Sequence, residues 1–225
     1  MKGGMILKNK LELIFIDLNN NQNKFLCSRS GSDFEERIID CFKKHGVDRR
    51  VKEHDADLKK YVASIRPLIT DKLSTSLLVN TIGADNPYYR GIFIHQPYGS
   101  QEYPDILYFG KYIVPIEIKF TKDKAHVPMW NGNLPKDSGI YIFGQYGEKQ
   151  LTFFIGKDVL SHEDRLFLTN KSNAMRAICP DKTTENGFIV YFRETYAQRT
   201  SFNYFDEKRV SREQSVIEFV KKLED

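Results

Sequence analysis

Apolar residues recur along this chain at both helical and strand spacing, which predicts a mixture of α and β structure. The clearest helical stripe consists of Phe34, Ile38, Cys41 and Phe42. Residues three or four apart share one face of a helix, so this stripe indicates a buried helical face. We expect the helix to span residues 34–45, with Ser32 and Glu35 forming a capping box and Gly46 ending it.

The other elements follow from the same two spacings. Further helices are predicted within residues 51–80, with a break near Pro67, and at 161–178 and 211–223, the last capped by Ser211. Strands are predicted at 91–96, 139–143, 151–155 and 187–193, a polar turn at 19–24, and either a short strand or an amphipathic segment at 5–18. Strands interspersed with helices predict an α/β fold of mixed α+β type, a central mixed sheet flanked by helices. The length favours a single domain over residues 1–225.

Residues 103–119 combine two apolar strands with acids and a lysine. Asp105 opens the first strand, and the second strand carries Glu117 and Lys119. Because strand side chains alternate between faces, Glu117 and Lys119 point the same way. Asp105 lies opposite Glu117 on that face if Gly110, Lys111 and Tyr112 form a three-residue loop. A two-residue loop would place the two acids on opposite faces.

Two carboxylates aimed at one point form an oxygen-rich site that suits Mg²⁺. Such an ion clamps phosphate oxygens and lowers the pKa of bound water, which then attacks phosphorus. A neighbouring lysine orients that water and neutralises the developing charge. The alternative is that Glu117 and Lys119 lie on the solvated face of an ordinary strand.

Pro104 and Asp105, followed after eleven residues by Glu117, Ile118 and Lys119, resemble the PD-(D/E)xK nuclease signature. With its flanking blocks at 96–101 and 128–135, the chain is similar to type II restriction endonucleases over about residues 90–160. The resemblance implies a restriction-endonuclease-like core. It also implies Mg²⁺-dependent, sequence-specific hydrolysis of both strands of duplex DNA by a homodimer.

The same resemblance assigns roles to individual residues. It implies that Asp105, Glu117 and the backbone carbonyl of Ile118 bind the metal, and that Lys119 assists the attacking water. Related nucleases often carry a further acid on the first helix. Glu36 is our candidate for that ligand and Glu35 its neighbour; the alternative is that both only favour the start of the helix.

Three segments, 96–102, 121–136 and 193–209, are candidate DNA-recognition loops. The candidate contacts within them are Gln96, Ser100, Gln101, Lys122, Asn131, Asn133, Arg193, Gln198 and Arg199. Amide side chains suit adenine in the major groove, and basic or hydroxyl groups suit phosphates. The alternative is a set of solvated loops with aromatic residues packed beneath them, and we expect Trp130 to be a core anchor.

Composition narrows the class of protein. The formal charge of +4 permits a nucleic-acid partner without requiring one. We expect a cytoplasmic protein with no membrane partner, because no apolar run reaches membrane-spanning length and no signal-peptide core is present. Three cysteines without paired spacing indicate reduced thiols and neither disulfides nor zinc.

Other activities remain open or are disfavoured. The sequence has no glycine-rich phosphate loop for ATP, and its histidines show no nucleophile pattern. A restriction enzyme would share its system with a DNA methyltransferase, with no stable complex expected. The alternatives are a structure-specific repair or junction-resolving nuclease, and a DNA-binding protein without catalysis.

Overall fold

The computed structural model describes residues 9–27, 30–71, 77–124, 127–131, 133–178, 184–187, 195–198 and 202–223. The α-helices are α1 (Lys10–Asn20), α2 (Gln22–Phe25), α3 (Gly31–Lys44), α4 (Ala56–Thr70), α5 (His162–Ile178) and α6 (Arg209–Lys222). The strands are β1 (Asp48–Arg50), β2 (Leu78–Val79), β3 (Ile92–His95), β4 (Ile106–Phe109), β5 (Tyr112–Thr121), β6 (Trp130–Asn131), β7 (Ile140–Gln145), β8 (Gln150–Ile155) and β9 (Thr195–Tyr196). Short 3₁₀ turns lie at Lys52–His54, Thr81–Gly83, Pro87–Tyr89 and Gly156–Asp158.

A seven-stranded mixed sheet forms the centre, with strand order β1-β3-β4-β5-β7-β8 and β2 paired to the start of β5. The pairs β1–β3 and β5–β7 are parallel, and the remaining pairs in this sheet are antiparallel. Strands β6 and β9 form a separate antiparallel ribbon. The mixed central sheet flanked by helices is therefore confirmed.

Each face of the sheet is covered by its own apolar cluster. Helices α1, α3 and α6 bury one face, where Phe34, Ile38 and Phe42 pack. Helix α4, Trp130 and Tyr204 cover the opposite face. In the described part of the chain, no helix combines the length and apolarity needed to cross a membrane.

Several predicted helix limits differ from the structure. The stripe of α3 is buried as predicted and Gly46 adopts a positive φ of 72° after it, but the cap is Ser30, whose Oγ accepts from Asp33 N at 3.1 Å. The Ser32 capping box was therefore wrong. Helix α6 begins at Arg209 after Lys208, which corrects the predicted Ser211 cap.

The N-terminal and Pro67 predictions also change. Residues 10–20 form a helix, where a short strand or an amphipathic segment is predicted over 5–18. Residues 22–25 form a second helix, which overlaps the polar turn predicted at 19–24. Helix α4 continues through Pro67 because its apolar stripe stays buried on both sides of the proline. Strands β3, β7 and β8 and helix α5 lie where predicted. The strand predicted at 187–193 lies almost entirely outside the described residues.

A buried acid joins α1 to α3. Asp17 Oδ2 accepts from Lys44 Nζ at 2.6 Å and contacts His45 Nε2 at 2.8 Å, and Cys41 Sγ lies 3.7 Å away. Asp17, Cys41 and His45 are close enough to share a metal ion. The Lys44 ammonium already neutralises the carboxylate, so the cluster is explained as a hydrogen-bonded tie between two helices.

We predict that Asp17→Asn lowers the free energy of unfolding by about 1–2 kcal/mol at neutral pH. Burial alone would raise the pKa of Asp17, but hydrogen bonds from Lys44 and His45 outweigh it and lower the pKa to about 2. This stabilisation is present above the unfolded-state pKa of 3.8 and is lost as pH falls toward 2.

Urea unfolding between pH 7 and pH 3 measures the effect. Asp40→Asn is the matched control, because Asp40 is an exposed acid of α3 that pairs with Lys43. A loss for Asp17→Asn no larger than for Asp40→Asn, or one that does not shrink in acid, would contradict the assignment.

Candidate active site

The β4–β5 hairpin places the acids and the lysine of the motif on one face. Ile106 pairs with Ile116 and Phe109 with Ile113, which is the register of a three-residue loop. Continued by one residue, this register sets Asp105 opposite Glu117. The open question of loop length is thus settled in favour of the two acids sharing one face.

Asp105 lies where the hairpin ladder ends. The chain before it contains Pro104, which has no N–H to pair with β5. The backbone N–H of Ile118 donates instead to Asp105 Oδ2 at 2.7 Å. The carboxylate is therefore fixed against the strand that carries Glu117.

Glu117 and Lys119 point from β5 toward the face that α4 and Trp130 cover. Lys119 Nζ donates to Glu117 Oε1 at 2.7 Å, with side-chain exposures of 22% for the lysine and 13% for the acid. Glu117 Oε2 is buried and has no hydrogen-bond partner among the described residues, although the backbone N–H of Asp105 helps to lower the pKa of this carboxyl group. An ionised oxygen in that position is costly unless a cation or donor reaches it.

Electrostatics around the two acids favour added positive charge. Burial and then the neighbouring Glu117 raise the pKa of Asp105, and although the Ile118 N–H opposes the rise, the resulting pKa is about 8. Burial also raises the pKa of Glu117, although the Lys119 charge opposes this. Two acids so close cannot both ionise readily without a cation between them.

A third acid, Glu35 of α3, acts on the pair through its charge. Glu35 Oε1 accepts from His95 Nε2 at 2.5 Å and from Gln96 Nε2 at 3.2 Å. Arg49 Nη2 lies 2.8 Å from His95 Nδ1, and because arginine can only donate, His95 donates to Glu35 through Nε2. Burial alone would raise the pKa of Glu35, but the His95 contact lowers it.

Glu35, and not Glu36, is the helix acid whose charge acts on the two acids of the site. The charge of Glu35 raises the pKa of both Asp105 and Glu117, whereas Glu36 is exposed. Residues 35 and 36 differ by about 100° around a helix, so only one can face the sheet. The helix actually begins at Gly31, and Phe34 next to Glu35 packs on Phe120 of β5, with ring centroids 5.3 Å apart.

The sequence alone does not reveal that His95 and Arg49 hold the Glu35 side chain in place. The sequence pattern around His95 and Arg49 does not indicate that they contact Glu35, directly for His95 and through His95 for Arg49. For His95 and Gln96, the predicted strand at 91–96 is the sequence feature that places them near the site, because this strand ends beside Asp105. There the backbone N–H of Gln96 donates to the carbonyl oxygen of Asp105 at 2.7 Å. The residues become neighbours only through the pairing of β1 with β3 and of β3 with β4.

The predicted DNA-contact residues lie in different settings. Gln96 is half-buried, with a positive φ of 48°, and is bound to Glu35. Ser100, Gln101 and Lys122 are exposed near the two ends of the site, and Asn133 is half-buried. Gln198 contacts two aromatic residues rather than solvent alone.

Some candidates are only partly described or lie outside the described residues. Asn131 belongs to strand β6, but nothing is described of its side chain. Arg193 and Arg199 fall outside the described residues. Trp130 is buried, 4% exposed, as expected for a core anchor, yet its ring centroid is only 5.8 Å from Lys119 Nζ.

The residues present fit a hard divalent cation. Asp105 and Glu117 offer carboxylate oxygens from opposing strands, and one of those oxygens is buried without a partner. Carboxylates, a backbone carbonyl and water are the ligands that Mg²⁺ takes in proteins. We therefore regard the Asp105–Glu117 pair, with the Ile118 carbonyl beside it, as a candidate metal centre.

Comparison with protein-family models, with curated proteins and with solved structures finds no match to this chain. The interpretation of the site therefore depends on its own geometry and charge.

We predict that Asp105→Asn stabilises the metal-free protein at alkaline pH by about 1–3 kcal/mol. The pKa of Asp105 is raised from 3.8 to about 8 in the folded state, so the cost of ionising it grows as pH rises through this range. Well below the unfolded-state pKa of 3.8, Asp105 is protonated in both states and the advantage of the variant disappears.

Chemical unfolding in EDTA at pH 5 and pH 8.5 tests this, with Asp57→Asn as a control in an exposed position of α4. An equal pH dependence for wild type and Asp105→Asn would show that the buried carboxylate carries no such cost.

Proposed function

We propose that this protein is a Mg²⁺-dependent endonuclease that hydrolyses phosphodiester bonds in both strands of duplex DNA at a specific sequence, as type II restriction endonucleases do. The observation that supports it most directly is Glu117 Oε2, which is buried and has no hydrogen-bond partner among the described residues. The same carboxylate is paired across the hairpin with Asp105, and its other oxygen, Oε1, accepts from Lys119 Nζ at 2.7 Å.

Each residue of the site has a distinct task in this reaction. Asp105, Glu117 and the Ile118 carbonyl would hold Mg²⁺, which when bound supplies charge neutralisation at the phosphate and a more acidic water. Lys119 holds the attacking water beside Glu117 and stabilises negative charge that develops on the phosphate. Glu35 adds a third carboxylate, and His95 and Gln96 fix its orientation.

The surroundings of the site suit a long anionic substrate. Ser100 and Gln101 are exposed on the turn before Asp105, and Lys122 is exposed just beyond Lys119. Because Ser100 and Gln101 precede Asp105 in the chain and Lys122 follows Lys119, we expect phosphates on either side of the scissile bond to pass these groups. Cleavage of both strands at a palindromic site would require two copies of the chain, each cutting one strand. Such an enzyme works in the cytoplasm alongside a DNA methyltransferase of the same specificity.

Lys119→Ala is expected to reduce duplex cleavage at least about 100-fold while retaining DNA binding, because the lysine acts on the transition state. Lys111→Ala is the matched control: Lys111 is an exposed lysine at the other end of the same hairpin. The assay incubates purified protein with phage-length DNA with and without Mg²⁺, and measures binding separately in Ca²⁺.

The form of the products distinguishes the candidate functions. Discrete Mg²⁺-dependent fragments from linear duplex agree with sequence-specific cleavage. Cutting confined to branched or damaged DNA would replace the proposal with a structure-specific nuclease. Binding without cutting under all metals would contradict catalysis, and unchanged cutting by Lys119→Ala would remove the role of that lysine.

Glu35→Gln and Glu36→Gln form a second matched pair. We expect Glu35→Gln to raise the Mg²⁺ concentration for half-maximal cleavage by about 10-fold, because the anion next to the metal ligands is lost. Glu36→Gln should leave it unchanged, since Glu36 is exposed. A larger effect for Glu36→Gln would reverse the assignment of the helix acid.

A further inference from the structure

A cavity of about 330 Å³ opens on the same face of the sheet as Lys119. Its walls come from the β6–β9 ribbon, the loop before β7, the turn after β8 and helix α5. Lining residues include Trp130, Pro135, Leu160, Leu168, Gln198 and Tyr204. This volume lies within the range of about 300–1,000 Å³ that small-molecule sites occupy.

The described lining is uncharged but not wholly apolar. Every described lining residue is neutral, which favours an uncharged occupant over a phosphate or a carboxylate. Trp130 and Tyr204 provide aromatic walls, and Gln198 supplies an amide. An occupant that matches these walls is a flat, uncharged ring with hydrogen-bonding edges.

The amide of Gln198 has a fixed orientation. Its Oε1 accepts from Trp130 Nε1 at 3.2 Å and from Tyr204 Oη at 2.8 Å. Because the indole N–H can only donate, the oxygen of the amide must face it. The amide NH₂, which donates to no described residue, remains available at the cavity wall for an acceptor on the occupant.

Trp130 connects the cavity to the acid cluster. One side of the indole lies against the cavity, and Lys119 Nζ is 5.8 Å from the ring centroid. Tyr141, whose ring is 5.4 Å from that of Trp130 in an edge-on contact, holds the indole in place. A group in the cavity therefore lies next to the lysine assigned to the scissile phosphate.

We propose that this cavity receives one nucleobase of the DNA substrate, rotated out of the helix, against Trp130 and within reach of the Gln198 amide. The inference rests on the proposed function, since it supplies the DNA. Extruding a base costs a few kcal/mol of stacking and pairing, which aromatic contact and hydrogen bonds in a pocket offset. The amide donor fits a ring nitrogen or carbonyl oxygen of the base.

The only tryptophan of the chain makes the cavity directly observable. The purified protein is titrated with each of the four deoxynucleosides, with deoxyribose 5-phosphate and with toluene, and Trp130 emission is recorded. We expect saturable quenching by at least one nucleoside and none by the sugar phosphate. Saturable quenching by toluene with none by nucleosides would overturn the proposal, because the cavity would then be a purely apolar site.

Two variants of helix α5 distinguish nucleoside binding in the cavity from binding elsewhere on the protein surface. Leu168→Phe narrows the cavity, because Leu168 lines it, and should abolish the quenching. Leu166→Phe, at a partly exposed position of the same helix, should retain it. Equal quenching in both variants would place the nucleoside elsewhere and overturn the proposal. Circular dichroism confirms that each variant is folded.

A parallel cleavage assay keeps the two proposals distinguishable. If the cavity takes a base during the reaction, Leu168→Phe should lower the cleavage rate at least 10-fold relative to Leu166→Phe. One outcome would overturn the proposed base-binding role of the cavity and leave the proposed nuclease activity intact. In that outcome the wild type cleaves DNA, the two variants cleave at equal rates, and no nucleoside quenches Trp130. Quenching without any cleavage would leave a base-binding protein and overturn the nuclease.

Discussion

The burial of two carboxylates side by side is the constraint on which the site depends. Asp105 and Glu117 meet because a three-residue loop sets the register of β4 and β5. Both residues are half-buried, and one oxygen of Glu117 is buried without a partner among the described residues. Such an arrangement costs folding free energy, so it persists where another function requires it. A bound divalent cation is the simplest group that would offset the cost.

Strands and a helix from several parts of the fold contribute the residues of the site. Strands β4 and β5 provide the acids and the lysine, and α3 brings Glu35 across the ends of β3 and β4. Arg49 on β1 reaches the same acid through His95. The ribbon of β6 and β9 brings Trp130 beside Lys119. Rigid elements therefore hold every charged group of the site, as preorganised catalysis requires.

The sequence predicts the positions of Asp105, Glu117 and Lys119 better than those of the residues around them. Alternation along 103–119 predicts the shared face of Glu117 and Lys119, because strand geometry has a period of two. The loop length was open until the pairing was known. Glu35 and Glu36 are both on α3, and only their burial distinguishes them, Glu35 being half-buried and Glu36 exposed. His95 and Arg49 meet only through contacts between strands distant in sequence. The path of α4 through Pro67 reflects tertiary packing that local propensity does not contain.

The most direct test of the central claim is a crystal structure of the protein grown or soaked with Mn²⁺, with the ion located by its anomalous scattering. The account predicts a peak bonded to carboxylate oxygens of both Asp105 and Glu117, with the Ile118 carbonyl as a further ligand. A protein that binds Mn²⁺ only elsewhere, for example at Asp17 and His45, while Lys119 remains paired with Glu117, would contradict it.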